Sequence, residues 1–153
     1  MAGVITQGTS PVVGTVTNDN AVAGRVGEEL KTVLASGSAV SLTTNTTANV
    51  TSVSLTAGDW EVSGVVDFTP GATTSLTQRT AGVSTTSATL GAQDSMSQTS
   101  VAANVPGANV ISQVTPNVRI SVAVTTPVYL VARALFTVST LAAYGSIRAR
   151  RVR

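Results

Sequence analysis

The segment from Val118 to Ser139 constrains the fold of this chain more than any other part of the sequence. Two runs of β-branched and other apolar residues, Val118–Val124 and Val128–Ser139, flank a short Thr-Thr-Pro connection. Apolar and polar positions alternate within each run, as they do in half-buried strands, and a tight connection is typical of an antiparallel hairpin. The segment therefore predicts a β-hairpin and, with it, a β-rich domain.

The rest of the sequence repeats this pattern of short strands between turns. The clearest alternation runs over residues 60–68 and places five residues on one face, which we expect to be core: Trp60, Val62, Gly64, Val66 and Phe68. Other strands are predicted near residues 26–34, 38–43, 49–55, 75–85, 88–90, 110–114 and 142–149. Eight to ten strands without a fixed repeat predict an all-β fold, a single antiparallel β-sandwich of jelly-roll type. Residues 1–24 are expected to form an extended N-terminal arm and residues 25–153 the sandwich.

The composition argues against an enzyme and against a bound cofactor or metal. The 153 residues contain no Cys and no His. The chain therefore lacks a thiol nucleophile, the commonest general base and the commonest transition-metal ligand. Asp59, Glu61 and Asp67 share the outward face of one predicted strand. Glu61 and Asp67 are then about 20 Å apart, too far for a glycosidase pair, and Asp59 with Glu61 is read as a solvated edge. Asn18-Asp19-Asn20 has too few ligands for calcium and is read as a turn.

The hydropathy of the chain predicts a homo-oligomer. Mean hydropathy is +0.32, although no apolar run approaches the roughly 18 residues of a membrane span, so no membrane association is expected. A subunit interface would use the surplus apolar residues, because homo-oligomer interfaces are more apolar than free surface; a loosely packed monomer is the alternative. The predicted interface is the second face of the strand at 128–139, with Tyr129, Val131, Arg133 and Leu135.

The C-terminus concentrates basic residues, with Arg148, Arg150, Arg151 and Arg153 among only eight Arg in the chain. Arginine suits bidentate pairing at interfaces as well as phosphate binding. No aromatic residues interleave with these positions as they do in single-strand binders, so nucleic-acid binding is disfavoured. We expect Arg148, Arg150 and Arg151 to pair with carboxylates across a subunit interface or to contact an acidic host lattice. One of Glu28 and Glu29 is expected to pair with an arginine at a subunit contact.

Two blocks of the sequence resemble small virion surface proteins of bacteriophages and prophages, of the tail-fibre-like or head decoration type. The matching residues are Gly27–Glu28, Ser36–Thr43, Ala48–Gly64, Val118–Val122, Val128–Ala132, Ser139–Gly145 and Arg148–Arg151. The most specific motif is Leu-Thr-Ala-Gly-Asp-Trp-Glu-Val-Ser-Gly at residues 55–64. The resemblance implies a trimeric jelly roll, and the strand at Gly58–Val62 is also similar to a strand of the complement-C1q and tumour-necrosis-factor fold, as an analogy of fold only.

This resemblance implies a non-enzymatic structural protein of the virion surface, assembled in the host cytoplasm; no signal peptide is visible at the N-terminus. The expected role is that of a homotrimeric capsid decoration protein or a short head or tail fibre, bound to other virion proteins through residues 1–24. The alternative is a carbohydrate-binding adhesin at a fibre tip, recognising a host surface glycan. Such a site needs an aromatic platform, for which Trp60, Tyr129 and Tyr144 are available, and the polar loop at 86–104 would carry the contacts.

Overall fold

A computed structural model describes residues 16–101 and 109–153, and in these residues the chain forms ten β-strands and no α-helix. The strands are β1 (Glu29–Leu34), β2 (Val40–Ser41), β3 (Ala48–Leu55), β4 (Gly58–Pro70), β5 (Ser75–Ser84), β6 (Met96–Ser100), β7 (Ile111–Val114), β8 (Val118–Val122), β9 (Thr126–Thr137) and β10 (Leu141–Arg151). The predicted all-β class is confirmed. Residues 1–15 of the predicted arm lie outside the described residues.

The ten strands form two antiparallel sheets that face each other. Sheet 1 has the order β1-β10-β4, with β7 and β8 both paired to the free side of β4 and β2 paired to β10. Sheet 2 has the order β3-β9-β5-β6. The inner faces of both sheets supply the core, as the alternation in β4 predicts: Trp60, Val62, Val66 and Phe68 are fully buried. These four side chains pack in one cluster with side chains of sheet 2 such as Leu55, Leu76 and Leu130.

The predicted hairpin at Val118–Ser139 is wrong, although both of its strands exist. β8 pairs with β4 in sheet 1, and β9 pairs with β3 and β5 in sheet 2. The connection between them crosses from one sheet to the other. Alternation of apolar and polar residues shows which side of a strand faces the core, but not which strand it pairs with. β8 and β9 both face the core, one from each sheet. Because packed sheets are about 10 Å apart, a short turn bridges them as readily as it joins neighbours within a sheet.

The long polar stretch after β5 also differs from the prediction. No strand forms at residues 88–90, whereas β6 at Met96–Ser100 pairs with β5. Its sequence, Met-Ser-Gln-Thr-Ser, shows little alternation of apolar and polar residues, so the strand is defined by its pairing with β5 rather than by a sequence pattern. The strand predicted at 38–43 shortens to β2, preceded by a 3₁₀ turn at Ser36–Ser38.

Polar side chains close the edge of the sandwich where β6 and β7 meet. Gln113 of β7 accepts hydrogen bonds from Arg79 Nε at 3.1 Å and from Thr99 Oγ1 at 3.0 Å, and it donates to Ser97 Oγ at 2.8 Å. Ser97 in turn donates to the carbonyl oxygen of Val114. The network ties sheet 1 to sheet 2 at an edge where the apolar core ends. Within the described residues, no helix is long and apolar enough to cross a membrane.

Candidate functional site

A buried ion pair joins the segment before β1 to the end of β10. Arg151 Nε donates to Glu28 Oε2 at 2.9 Å, and both side chains are about 95% buried. The backbone N–H of Gly24 donates to the same carboxylate oxygen at 2.7 Å. Burial alone would raise the pKa of Glu28, but the bonds from Gly24 and Arg151 outweigh it and lower that pKa. Glu28 is therefore a carboxylate at neutral pH.

The remaining donors of Arg151 are also occupied. Nη1 donates to the carbonyl oxygen of Ala57 at 2.8 Å and Nη2 to Thr56 Oγ1 at 2.5 Å. The guanidinium carbon lies 4.2 Å from the ring centroid of Trp60, within range of a cation–π contact. Arg151 and Glu28, both predicted to pair across a subunit interface or to anchor the protein, instead pair with each other inside one chain.

A second ionic cluster forms around Asp59 at the start of β4. Asp59 is 3% exposed and accepts from Arg119 Nη2 and from Arg153 Nη2, each at 2.6 Å. The hydrogen bond from Arg119 is the largest reason that the pKa of Asp59 falls to about 2. The prediction of a solvated Asp59 beside Glu61 is therefore wrong: Arg119 of β8 and Arg153, two residues after the end of β10, bring two guanidinium groups onto it. A carboxylate held ionised in this way is a poor proton donor near neutral pH.

The other acidic side chains of this face are dispersed. Glu61 is exposed, and Asp67 accepts a hydrogen bond from Ser112. Among the described residues, no group of three or more acidic side chains lies close enough to hold a metal ion. Asn20, in the segment predicted as a turn, accepts from the backbone N–H of Glu29 at 2.8 Å and donates to its carbonyl oxygen at 2.7 Å, so its side chain fastens the incoming chain to β1.

The four residues of the predicted oligomer interface share the outer face of sheet 2. Tyr129, Arg133 and Leu135 are half-buried, whereas Val131 is fully buried although it points away from the core. The residue paired with Val131 on β3 is Asn49, whose amide donates to Ser87 Oγ at 2.7 Å and accepts from the Ala88 N–H at 2.7 Å. The loop after β5 therefore crosses this outer face. Contact of these four residues with another copy stays a prediction.

The outer face of sheet 1 carries a row of charges that runs across four strands. Glu29 of β1 pairs in register with Arg150 of β10, Arg150 with Glu61 of β4, and Glu61 with Arg119 of β8. Opposite charges on directly paired residues attract one another. Arg148, one turn of the pleat away on β10, also lies 3.8 Å from Glu29. We call the four residues in register the charged row.

A second row on the same outer face is largely apolar. Val33, Ser146, Val65 and Val114 are paired in register on β1, β10, β4 and β7. Val33 and Val114, at its two ends, are 61% and 62% exposed. We call these residues the valine row. The sequence reasoning missed this surface, because the rows are visible only once the order and register of four strands are known; the outward position of Val65 in β4 was the single available signal.

The aromatic residues do not form a common platform for a sugar. Trp60 is fully buried and donates its indole N–H to the carbonyl oxygen of Thr56 at 2.9 Å. Tyr129 lies on the outer face of sheet 2 and Tyr144 on the outer face of sheet 1. A groove of about 340 Å³ lies beside the loop after β5, and its apolar lining is aliphatic, with Leu90, Val118 and Ile120.

Comparisons with known proteins add little to this description. No protein-family model matches the chain, and no curated protein matches it. The chain is similar to a solved structure described as "Structure of infectious bursal disease virus Gx strain", with a TM-score of 0.37 and 11% identity. The similarity covers 79% of this chain and 30% of the other, so the chain spans under a third of that protein. At this TM-score the similarity carries no argument about function.

Proposed function

We propose that the protein is a non-enzymatic structural component of a bacteriophage virion, either a capsid decoration protein or a short head or tail fibre. The observation that carries the proposal is that the buried acidic side chains are paired within the chain while apolar side chains are exposed on its surface. The acidic groups of the two ionic clusters are bound by arginines within the fold, whereas the valine row exposes Val33 and Val114 on the outer face of sheet 1. Such a molecule is suited to assembly rather than to turnover. The resemblance of residues 27–64 and 118–151 to phage virion proteins supports the setting.

The strand order supports a jelly roll as the form of the sandwich. From β3 to β6 and again from β7/β8 to β10, successive strands fall mostly in alternate sheets, and the outer strands of each sheet come from distant parts of the sequence. The resulting sandwich has a six-stranded and a four-stranded sheet, and jelly rolls likewise place two antiparallel sheets face to face. We further propose the homotrimer and the anchoring role of the N-terminal residues, both of which follow from the resemblance.

Binding to particles tests this function. The purified protein should bind stoichiometrically to particles that lack it and raise their resistance to heat, and imaging should place it on the head or the tail. Deletion of residues 2–15 should abolish binding without unfolding the domain, because the contacts of Asn20 and Gly24 with the sandwich remain. Failure of the full-length protein to bind any part of the particle would contradict the proposal. Specific binding on a glycan array would support the adhesin instead.

A further inference from the structure

We propose that copies of this chain meet through the outer face of sheet 1, around a rotation axis that runs parallel to the strands above the seam between β10 and β4. On each side of that seam lies one half of the face: β1 and β10 on one side, β4 with β7 and β8 on the other. Rotation about such an axis brings the β1/β10 half of one copy against the β4/β8 half of the next. The inference concerns assembly alone and does not depend on a virion setting.

The charged row supports a second copy as the occupant of this face. Read from β1 to β8, its signs are negative, positive, negative and positive: Glu29, Arg150, Glu61 and Arg119. The same row read in reverse has the opposite sign at every position. Around the proposed axis, Arg150 therefore faces Glu61 of the next copy, and Glu29 faces its Arg119. The row is complementary to itself, a property that a surface evolved for an unrelated partner does not need.

The other rows match under the same rotation. Val33 faces Val114 of the next copy, and Ser146 faces Val65, so the two most exposed valines of the face cover each other. Tyr144 faces Asp67, which accepts a hydroxyl hydrogen bond in the single chain from Ser112 and has a second oxygen for another. No two like charges of the charged row are brought together.

The size of the face is adequate for a specific contact. Four strands at about 4.8 Å spacing give a width near 19 Å, and ten residues of β4 at about 3.3 Å give a length near 33 Å. The roughly 600 Å² covered per copy gives a total above the ~1,000 Å² expected of a biological interface. The outer face of sheet 2 is less suited to this role, because its own loop already covers Val131. Full face-to-face contact over this area joins two copies; three copies around the same axis would bring the same residue pairs together at an angle and over a smaller area.

Substitutions in the valine row test the location of the contact. Sedimentation equilibrium of the full chain should show a dimer or trimer, and V33D and V114D should each raise the dissociation constant more than about tenfold. V124D is the matched control, since Val124 is 69% exposed in the turn between β8 and β9, outside the valine row, and it should leave assembly unchanged. A monomeric wild-type protein, or an oligomer that survives V33D and V114D, overturns the proposal.

A charge swap tests the pairing itself. E61R and R150E should each dissociate the oligomer, because each places two like charges across the contact. The double variant E61R/R150E should associate again to within about threefold of wild type. Circular dichroism at the assay temperature checks that the single variants stay folded, as expected for exposed residues. Folded single variants that still assemble, or a double variant that stays dissociated, overturn the proposed axis. Loss of particle binding with intact assembly would instead contradict the proposed function.

Discussion

Replacement of Glu28 by Gln should strongly destabilise the protein. The substitution keeps the size of the side chain and an oxygen for the Gly24 N–H, but it leaves the guanidinium of Arg151 buried without a counter-charge. Removing one partner of a buried ion pair typically costs about 3–5 kcal/mol. In a chain of this size each kcal/mol lowers the melting temperature by roughly 2–4 °C, so we expect a fall of about 10 °C.

Urea denaturation followed by tryptophan fluorescence measures this change directly. Trp60 is the single tryptophan of the chain, is fully buried and lies against Arg151, so its emission reports on the ionic cluster as well as on global unfolding. D94N is the control, because Asp94 is an exposed carboxylate in the loop after β5, outside both ionic clusters and outside the charged row. Loss of an exposed charge of this kind changes stability by at most about 1 kcal/mol. Protein concentration is held constant, because assembly would add stability by mass action.

A double-mutant cycle separates the ion pair from other effects of the substitution. E28Q/R151M removes both charges and should be less destabilised than the sum of the two single variants, with a coupling energy above about 2 kcal/mol. Methionine retains much of the apolar contact with Trp60, although it leaves the oxygens of Thr56 and Ala57 without their donor. An E28Q variant within about 1 kcal/mol of wild type, or additive effects in the cycle, would refute the reasoning from burial.

Three further outcomes are expected. Folding lowers the pKa of Asp59 to about 2, so on acidification the unfolded state takes up this proton at a higher pH than the folded state does. The stability that the carboxylate contributes is therefore complete above about pH 4 and declines as the pH falls toward 2. D59N should flatten this decline in denaturation experiments carried out across that pH range. Gly145 has φ +153° and a Cβ there would lie 2.0 Å from the carbonyl oxygen of Val65, so G145A should cost more than about 3 kcal/mol, and wild-type stability would contradict the register of β10 and β4. N49A should speed amide hydrogen exchange in residues 85–90 without lowering global stability by more than about 2 kcal/mol, whereas unchanged exchange would show that Asn49 does not hold the loop.

The strands and their buried faces were largely predictable from the sequence. In β4, alternation over residues 60–68 placed Trp60 and Phe68 in the core, because a pleated strand with one buried face imposes a period of two on its side chains. The inner face of β9, with Val128, Leu130 and Phe136, follows the same rule, and these side chains are buried as well. This periodicity is a property of the single strand and does not depend on which strands it pairs with.

Pairing between distant strands was not predictable in the same way. β8 and β9 read as a hairpin because they are adjacent and both alternate, yet they belong to different sheets. β6 has almost no apolar pattern and exists because β5 offers an edge. Both outcomes depend on which partner strands the rest of the chain supplies, and this information is not local.

The sequence by itself determined an all-β chain, the residues that fill its core, and a set of acidic and basic side chains without His or Cys. Only the tertiary structure decided how those charges are used. Glu28 meets Arg151 across 123 positions and Asp59 meets Arg119 across 60, and the charged and valine rows each take their residues from four separate strands. The physical reason is that burial follows from the period of a single strand, whereas ion pairs and surface rows follow from the register between strands. Register is set by the whole sandwich at once.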